Sequence, residues 1–175
     1  KSTSSHHVTN IELYQQSYLL NFQNKYPNFQ KSSIIALLPS YIERGNSSLL
    51  YMMDDLISKS SGSQSGFYKT LTPELISFLE NDPSPKILIG VSFALLDACT
   101  TALQLKNTTV IETGGMKGKR KEIIREELHA LLRAGLSVDS IHSEYGMTEL
   151  LSQAYLSKSH FEPPKWMKVS SREIT

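Results

Sequence analysis

Two kinds of hydrophobic pattern alternate along the chain. Residues 33–39 (SIIALLP), 86–91 (KILIGV), 108–113 (TTVIET) and 138–144 (VDSIHSE) are short runs, β-branched or almost continuously apolar, as strands covered on both faces should be. The stretches between them carry helical periodicity and helix-start chemistry. TPELISFLE has Thr72 at the N-cap, Pro73 at the first helical position and Glu74 in the first turn, a combination that satisfies the free N–H groups and suits the helix dipole. Ser92 is placed to cap a helix over FALLDACTTALQLK, and Ser47 or Ser48 to cap LLYMMDDLIS. From Lys119 to Ala134, Ile124, Leu128 and Leu131 recur at helical spacing, with Gly135 as the stop. NIELYQQSYLLNF near the start and LLSQAYL after residue 149 also read as helical. Regular alternation of strand and helix predicts an α/β domain: a mostly parallel sheet with helices on both faces, joined by right-handed crossovers.

In such sheets ligands bind just beyond the carboxyl ends of the strands. The turns to inspect are therefore 39–48, 90–93, 114–118 and 145–149. ETGGMKG follows the strand TTVIET, and its paired glycines allow positive φ and leave no Cβ between the backbone and a flat ligand or a phosphate. The KGKRK run that follows places four cations at the positive end of a helix dipole, ahead of Glu122, Glu126 and Glu127. That order suits an anion, although a tight Gly-Gly turn and a solvated basic stretch balanced by i, i+4 pairs account for the same residues. YGMTE leaves VDSIHSE in the same manner. An aromatic ring can stack on a base, a glycine lets the backbone pass a ligand, a threonine hydroxyl can bond a phosphate oxygen and a carboxylate can hold a magnesium ion. Thr148 as an N-cap with Glu149 as a first-turn acid is the competing structural reading.

Composition removes several classes of function. The 175 residues are 39% hydrophobic and 20% charged, with Lys+Arg 18 against Asp+Glu 17, the profile of one globular α/β domain without the broad positive face that nucleic acid requires. A lone cysteine, Cys99, in an apolar helical pattern reads as a small buried thiol and fits a reducing, cytoplasmic compartment. No apolar run approaches the ~18 residues of a membrane span, and KSTSSHH has no signal-peptide core. The five histidines lack zinc-site spacing. Ser143 lacks the Gly-x-Ser-x-Gly context of a serine hydrolase.

Tyr145-Gly146-Met147-Thr148-Glu149 resembles the aromatic-Gly-x-Thr-Glu motif of the adenylate-forming superfamily of acyl-CoA synthetases, luciferases and adenylation domains. Taken with LLPSYIERGNSSLLYMMDDLI, ILIGVSFALLD, ETGGMKGKRKEIIREELH and FEPPKWMKVSSREI in the same order, most of the chain is similar to the acyl-protein synthetase family typified by the LuxE component of bacterial bioluminescence. The resemblance implies the core of the large N-terminal domain of these enzymes. It also implies ATP, Mg²⁺ and a carboxylic or fatty acid as reactants, an acyl-adenylate as intermediate, and transfer to a protein thiol or similar acceptor on an acyl-carrying or acyl-accepting protein. By position, Tyr145, Gly146 and Met147 would flank the adenine, Gly114, Gly115 and Met116 with Lys117 would form the opposite wall, Thr148 would touch phosphate and Glu149 would hold Mg²⁺. Pro39 and Tyr41, with Gly90, would border the acyl site.

Two departures shape the expectation. The Ser/Thr/Gly-rich phosphate loop should precede LLPSY, whereas SSGSQSG at 60–66 follows it and reads as a flexible connector. The ribose-binding aspartate and the closing C-terminal domain have no counterpart in these residues. The chain is therefore expected to be the central part of a larger acyl-adenylating enzyme, with Cys99 unrelated to the acyl-accepting cysteine of that family. A non-catalytic nucleotide- or partner-binding module and another α/β transferase, such as a methyltransferase using ETGG, are the rival readings.

Overall fold

A computed structural model describes residues 6–39, 41, 47–116, 118, 120–147 and 150–170. The chain is α/β: seven strands form one mixed sheet in the order β2-β1-β3-β4-β5-β6-β7. Strands β1 (Ser33–Leu37), β2 (Gly66–Tyr68), β3 (Lys86–Val91), β4 (Thr108–Thr113) and β5 (Ile141–Gly146) run parallel, and β6 (Gln153–Leu156) and β7 (Phe161–Glu162) extend the sheet antiparallel. Every residue of β1 and β3 is buried, which explains why these strands are continuously apolar rather than alternating.

The crossover from β1 to β2 moves one way along the sheet, and those from β3 to β4 and β4 to β5 move the other. With right-handed crossovers, helices on the two arms cover opposite faces. Accordingly α1 (Ile11–Lys25) packs with α2 (Ser48–Ser58), while α4 (Ser92–Ala98) packs with α5 (Arg125–Leu136) over β3, β4 and β5. Helix α3 (Pro73–Asn81) has Thr72 as its N-cap, the Oγ1 accepting from Leu75 N at 3.3 Å. Asn10 caps α1 in the same way, accepting from Leu13 N at 2.9 Å. The apolar surfaces of both layers belong to one continuous core.

Local sequence and tertiary structure disagree in four places. The helix expected over 93–106 ends at Ala98, followed by a 3₁₀ turn at Cys99–Thr101 and a left-handed Ala102 (φ 49°). Thr100 and Thr101 donate their hydroxyls to the carbonyls of Asp97 and Ala98 at 2.7 Å, the local bonding by which threonine competes with continued helix. The helix expected over 119–134 begins only at Arg125 and runs through Gly135 to Leu136, with Ser137 at φ 53° as the left-handed cap. Gly135 is not the stop; a Cβ there would stand 2.4 Å from Cys99 Cβ, so the glycine permits close contact between α5 and the end of α4. The strand expected over 138–144 is β5, which starts at Ile141 rather than Val138 and continues through Tyr145 and Gly146, because these residues pair with Ala154 and Gln153 of β6. LLSQAYL is correspondingly not a helix: Gln153–Leu156 is a fully buried strand, since an unpaired β5 edge gains more from a partner strand than the segment gains from helical propensity.

The Ser/Gly connector leads into an edge strand, β2, that its composition did not announce. At the other edge the Pro163-Pro164 segment returns over α1. The Trp166 indole donates to Ser17 and Ser152 hydroxyls at 2.9 Å, and Lys25 pairs with Glu162 at 2.8 Å. Cys99 is only partly buried; its thiol donates to the Leu95 carbonyl at 3.2 Å.

Candidate functional site

A cavity of about 500 Å³ opens at the carboxyl edge of the sheet, where a doubly wound sheet presents its loops to ligand. The β4 exit supplies Glu112, Thr113, Gly114, Gly115 and Met116, and the β5 exit supplies Glu144, Tyr145, Gly146 and Met147. The start of α2, with Tyr41 and Ser47 before it, closes one side, and Arg125 of α5, Gln153 of β6 and Phe161 of β7 close the other.

Gly114 and Gly115 adopt φ of 74° and 66°, which L side chains reach only with strain. This is the reason for the paired glycines: a Cβ on Gly115 would meet nothing within 4 Å, so backbone conformation and not crowding requires them. The Tyr145 ring stays out of the core at 44% exposure, sits edge-to-face with Phe161 at 5.8 Å and donates its hydroxyl to Met147 Sδ at 3.2 Å. The Arg125 guanidinium lies 4.8 Å from the Phe161 ring, so one aromatic ring positions both the tyrosine and a cation. Among the described lining residues Arg125 is the single cation, against Glu112, Glu122 and Glu144.

Two of these carboxyl groups are held in different states. Burial alone would raise Glu112, but the neighbouring polar groups of His129, Ser143 and Ser92 outweigh it and hold the carboxyl below the ordinary carboxylate range. Ser92 Oγ donates to Glu112 Oε2 at 3.0 Å, and His129 Nε2 is 3.7 Å from Oε1 and 3.0 Å from Ser143 Oγ. Glu144 moves the opposite way. The residue keeps some solvent exposure, yet protein atoms surround its carboxyl group. Burial, aided by the charge of Glu112, pushes it up to about 7 against the opposing hydrogen bond from Thr113, whose Oγ1 donates to Oε2 at 2.5 Å. Paired carboxyl groups with separated affinities for a proton are typical of functional sites.

Gly146 leaves room for this arrangement, since an added Cβ would stand 2.5 Å from Glu144 Oε1 and 3.2 Å from Gln153 Cγ. Gln153 Oε1, also on the cavity lining, is buried with no hydrogen-bond partner among the described residues.

The structure thus brings the glycine turn and the tyrosine motif to one cavity, but it divides the expected acyl-site group. Tyr41 lines the cavity. Pro39 instead lines a separate apolar cavity of about 380 Å³ with Leu37, Leu71 and Phe93. Gly90 is buried beneath the loops; a Cβ there would be 2.9 Å from Leu95 and 3.3 Å from the Leu37 carbonyl, so its smallness serves helix-on-strand packing. Lys117, Thr148 and Glu149 lie outside the described residues. Among the described residues no three His, Cys, Asp or Glu side chains cluster as a metal site.

Pattern reading passed over Glu112 and Glu144. The signal was present: a carboxylate near the carboxyl end of an inner strand of a sheet has a high desolvation cost and needs a reason. Arg125 and Phe161 carried no such signal, because only the fold brings them to the cavity.

No family model, curated protein or solved structure matches this chain.

Proposed function

We propose that the chain is the nucleotide-binding core of an ATP- and Mg²⁺-dependent acyl-activating ligase of the acyl-protein synthetase type. The observation that carries this reading is the meeting of the Gly114-Gly115-Met116 turn and the Tyr145-Gly146-Met147 segment on one cavity at the carboxyl edge of β4 and β5. A flat base between the Tyr145 ring and the glycine backbone would leave its phosphates toward the start of α5 and Arg125. Attack of a carboxylate on the α-phosphorus brings anion against anion, so the reaction calls for positioning and charge neutralisation rather than a protein nucleophile. Arg125 supplies positive charge at the cavity wall. Glu149, by its place in the motif, would hold the Mg²⁺, which neutralises phosphate charge when bound.

The lone cysteine, and the absence of any described helix long and apolar enough to cross a membrane, fit a cytoplasmic enzyme acting on a fatty or other carboxylic acid. Its acyl group would pass to a protein thiol or a comparable acceptor. The decisive test is carboxylate-dependent exchange of pyrophosphate into ATP by the full-length protein. Exchange that requires both acid and Mg²⁺ supports the reading. Nucleotide binding without exchange would make the chain a binding module, and binding of a methyl-donor cofactor in place of ATP would make it a transferase.

A further inference from the structure

We propose that Glu144 is the proton acceptor for the second half-reaction, taking the proton from a thiol as that thiol attacks the acyl carbon of the adenylate. The proposal rests on the acyl-activating reading of the same cavity. In this step the bond between the acyl carbon and the phosphate oxygen breaks, its electron pair leaves with AMP, an acyl–sulfur bond forms and the thiol proton moves to the Glu144 carboxylate, which returns it to solvent.

Geometry singles out this carboxylate among the acids of the cavity. Its Oε2 is anchored by Thr113 at 2.5 Å, Thr113 being its one hydrogen-bond donor among the described residues. Its Oε1 is directed beside Gly146, where the missing side chain leaves space that any Cβ would take at 2.5 Å. One oxygen is thus fixed while the other stays available, the arrangement a positioned base needs. Glu112 is unsuited to the task, with Oε2 committed to Ser92 and Oε1 facing His129. His142, the neighbouring histidine on β5, is turned away to Tyr26 Oη at 3.0 Å.

The titratable groups whose charges couple to Glu144 are Glu112 of β4, Tyr14 of α1, Tyr26 at the end of that helix and Tyr155 of β6, none of them a cation that would hold it ionised, and Arg125, the cation of the cavity, lies against the Phe161 ring. Burial and the Glu112 charge set it at about 7, so near neutrality it both accepts and releases a proton.

The test measures two rates on the full-length protein: pyrophosphate exchange, and acyl transfer to N-acetylcysteamine with a panel of saturated fatty acids. Glu144→Gln is expected to lower the ratio of transfer to exchange roughly 10²-fold and to abolish the acidic limb of the transfer pH profile. Two neighbours should move that limb in opposite directions, a result that a merely structural role would not produce. Thr113→Val, which removes the bond favouring the anion, should shift it to higher pH; Glu112→Gln, which removes a repelling charge, should shift it to lower pH. Exchange with no transfer to the thiol in the unsubstituted protein, an unchanged ratio in Glu144→Gln, or a parallel fall in both rates would overturn the assignment and leave the acyl-activating reading standing. Absence of exchange in the unsubstituted protein would overturn both.

Discussion

The Thr113 hydroxyl at the end of β4 donates a 2.5 Å hydrogen bond to the Glu144 carboxylate near the end of β5, tying together the two strands whose exits form the candidate site. Thr113 opens the glycine turn of ETGGMKG and Glu144 immediately precedes YGMTE. Their contact opposes the burial that raises the Glu144 carboxyl group.

That contact has a consequence for stability. The Glu144 carboxyl ionises at about 7 in the folded chain and at 4.5 in its ordinary state, so between those values the folded state binds more protons than the unfolded one. Stability contributed by the protonated group is then fully present below pH 4.5 and is lost as pH rises through about 7. Glu144→Gln should remove this slope and stabilise the chain at pH 8 by up to roughly 3 kcal/mol. Denaturant unfolding at pH 5 and pH 8 measures the difference; equal slopes in both proteins would show that Glu144 is not perturbed.

Tyr145→Ala should weaken ATP binding roughly 5- to 150-fold, from the ~1–3 kcal/mol that base–aromatic stacking contributes. The ring is 44% exposed and its aromatic contact is with Phe161, so the fold should lose only about 0.5–1.5 kcal/mol. Calorimetric titration beside thermal unfolding separates the two effects. A variant that binds ATP as tightly as its parent would remove Tyr145 from the site.

The glycines of the cavity should respond to alanine for different reasons. At Gly115 the Cβ is accommodated but φ is 66°, so Gly115→Ala should cost about 1–2 kcal/mol through backbone strain alone. At Gly146 the Cβ collides with Glu144 Oε1 at 2.5 Å, so Gly146→Ala should cost about 1–3 kcal/mol through overpacking and also displace the carboxylate. Only the second variant should alter the pH dependence of unfolding.

Gly90→Ala should destabilise the chain by about 1–3 kcal/mol, because the Cβ meets Leu95 and the Leu37 carbonyl in the core. Acyl-chain selectivity of the full-length protein should be unchanged. A shift in preferred acid with stability intact would return Gly90 to the acyl site.

Glu149→Gln keeps the size of the side chain and removes its charge, so exchange at limiting Mg²⁺ should be abolished. Persistence of exchange there would remove Glu149 from the site.

Burial of backbone and side chain together made much of this architecture legible in the sequence. A strand covered by helices is rich in apolar and β-branched residues, so KILIGV and TTVIET were bounded to the residue, as Lys86–Val91 and Thr108–Thr113. A helix start must satisfy its own N–H groups locally, so Thr72-Pro73 marked α3. The regular spacing of these elements then led to the parallel sheet and its carboxyl edge. Other features depended on partners distant in sequence. Residues 150–156 suit a helix as well as a strand, and the free edge of β5 settled the choice. Gly135 reads as a helix stop until Cys99 is brought against it, and the packing of Leu95 over Gly90 is equally invisible in the sequence. The same holds for the chemistry: the residue types of YGMTE and ETGG suggest a ligand by themselves. The ionisation of Glu112 depends on Ser92 of α4 and His129 of α5, and that of Glu144 on burial beside Thr113 of β4; both surroundings exist only once the chain is folded.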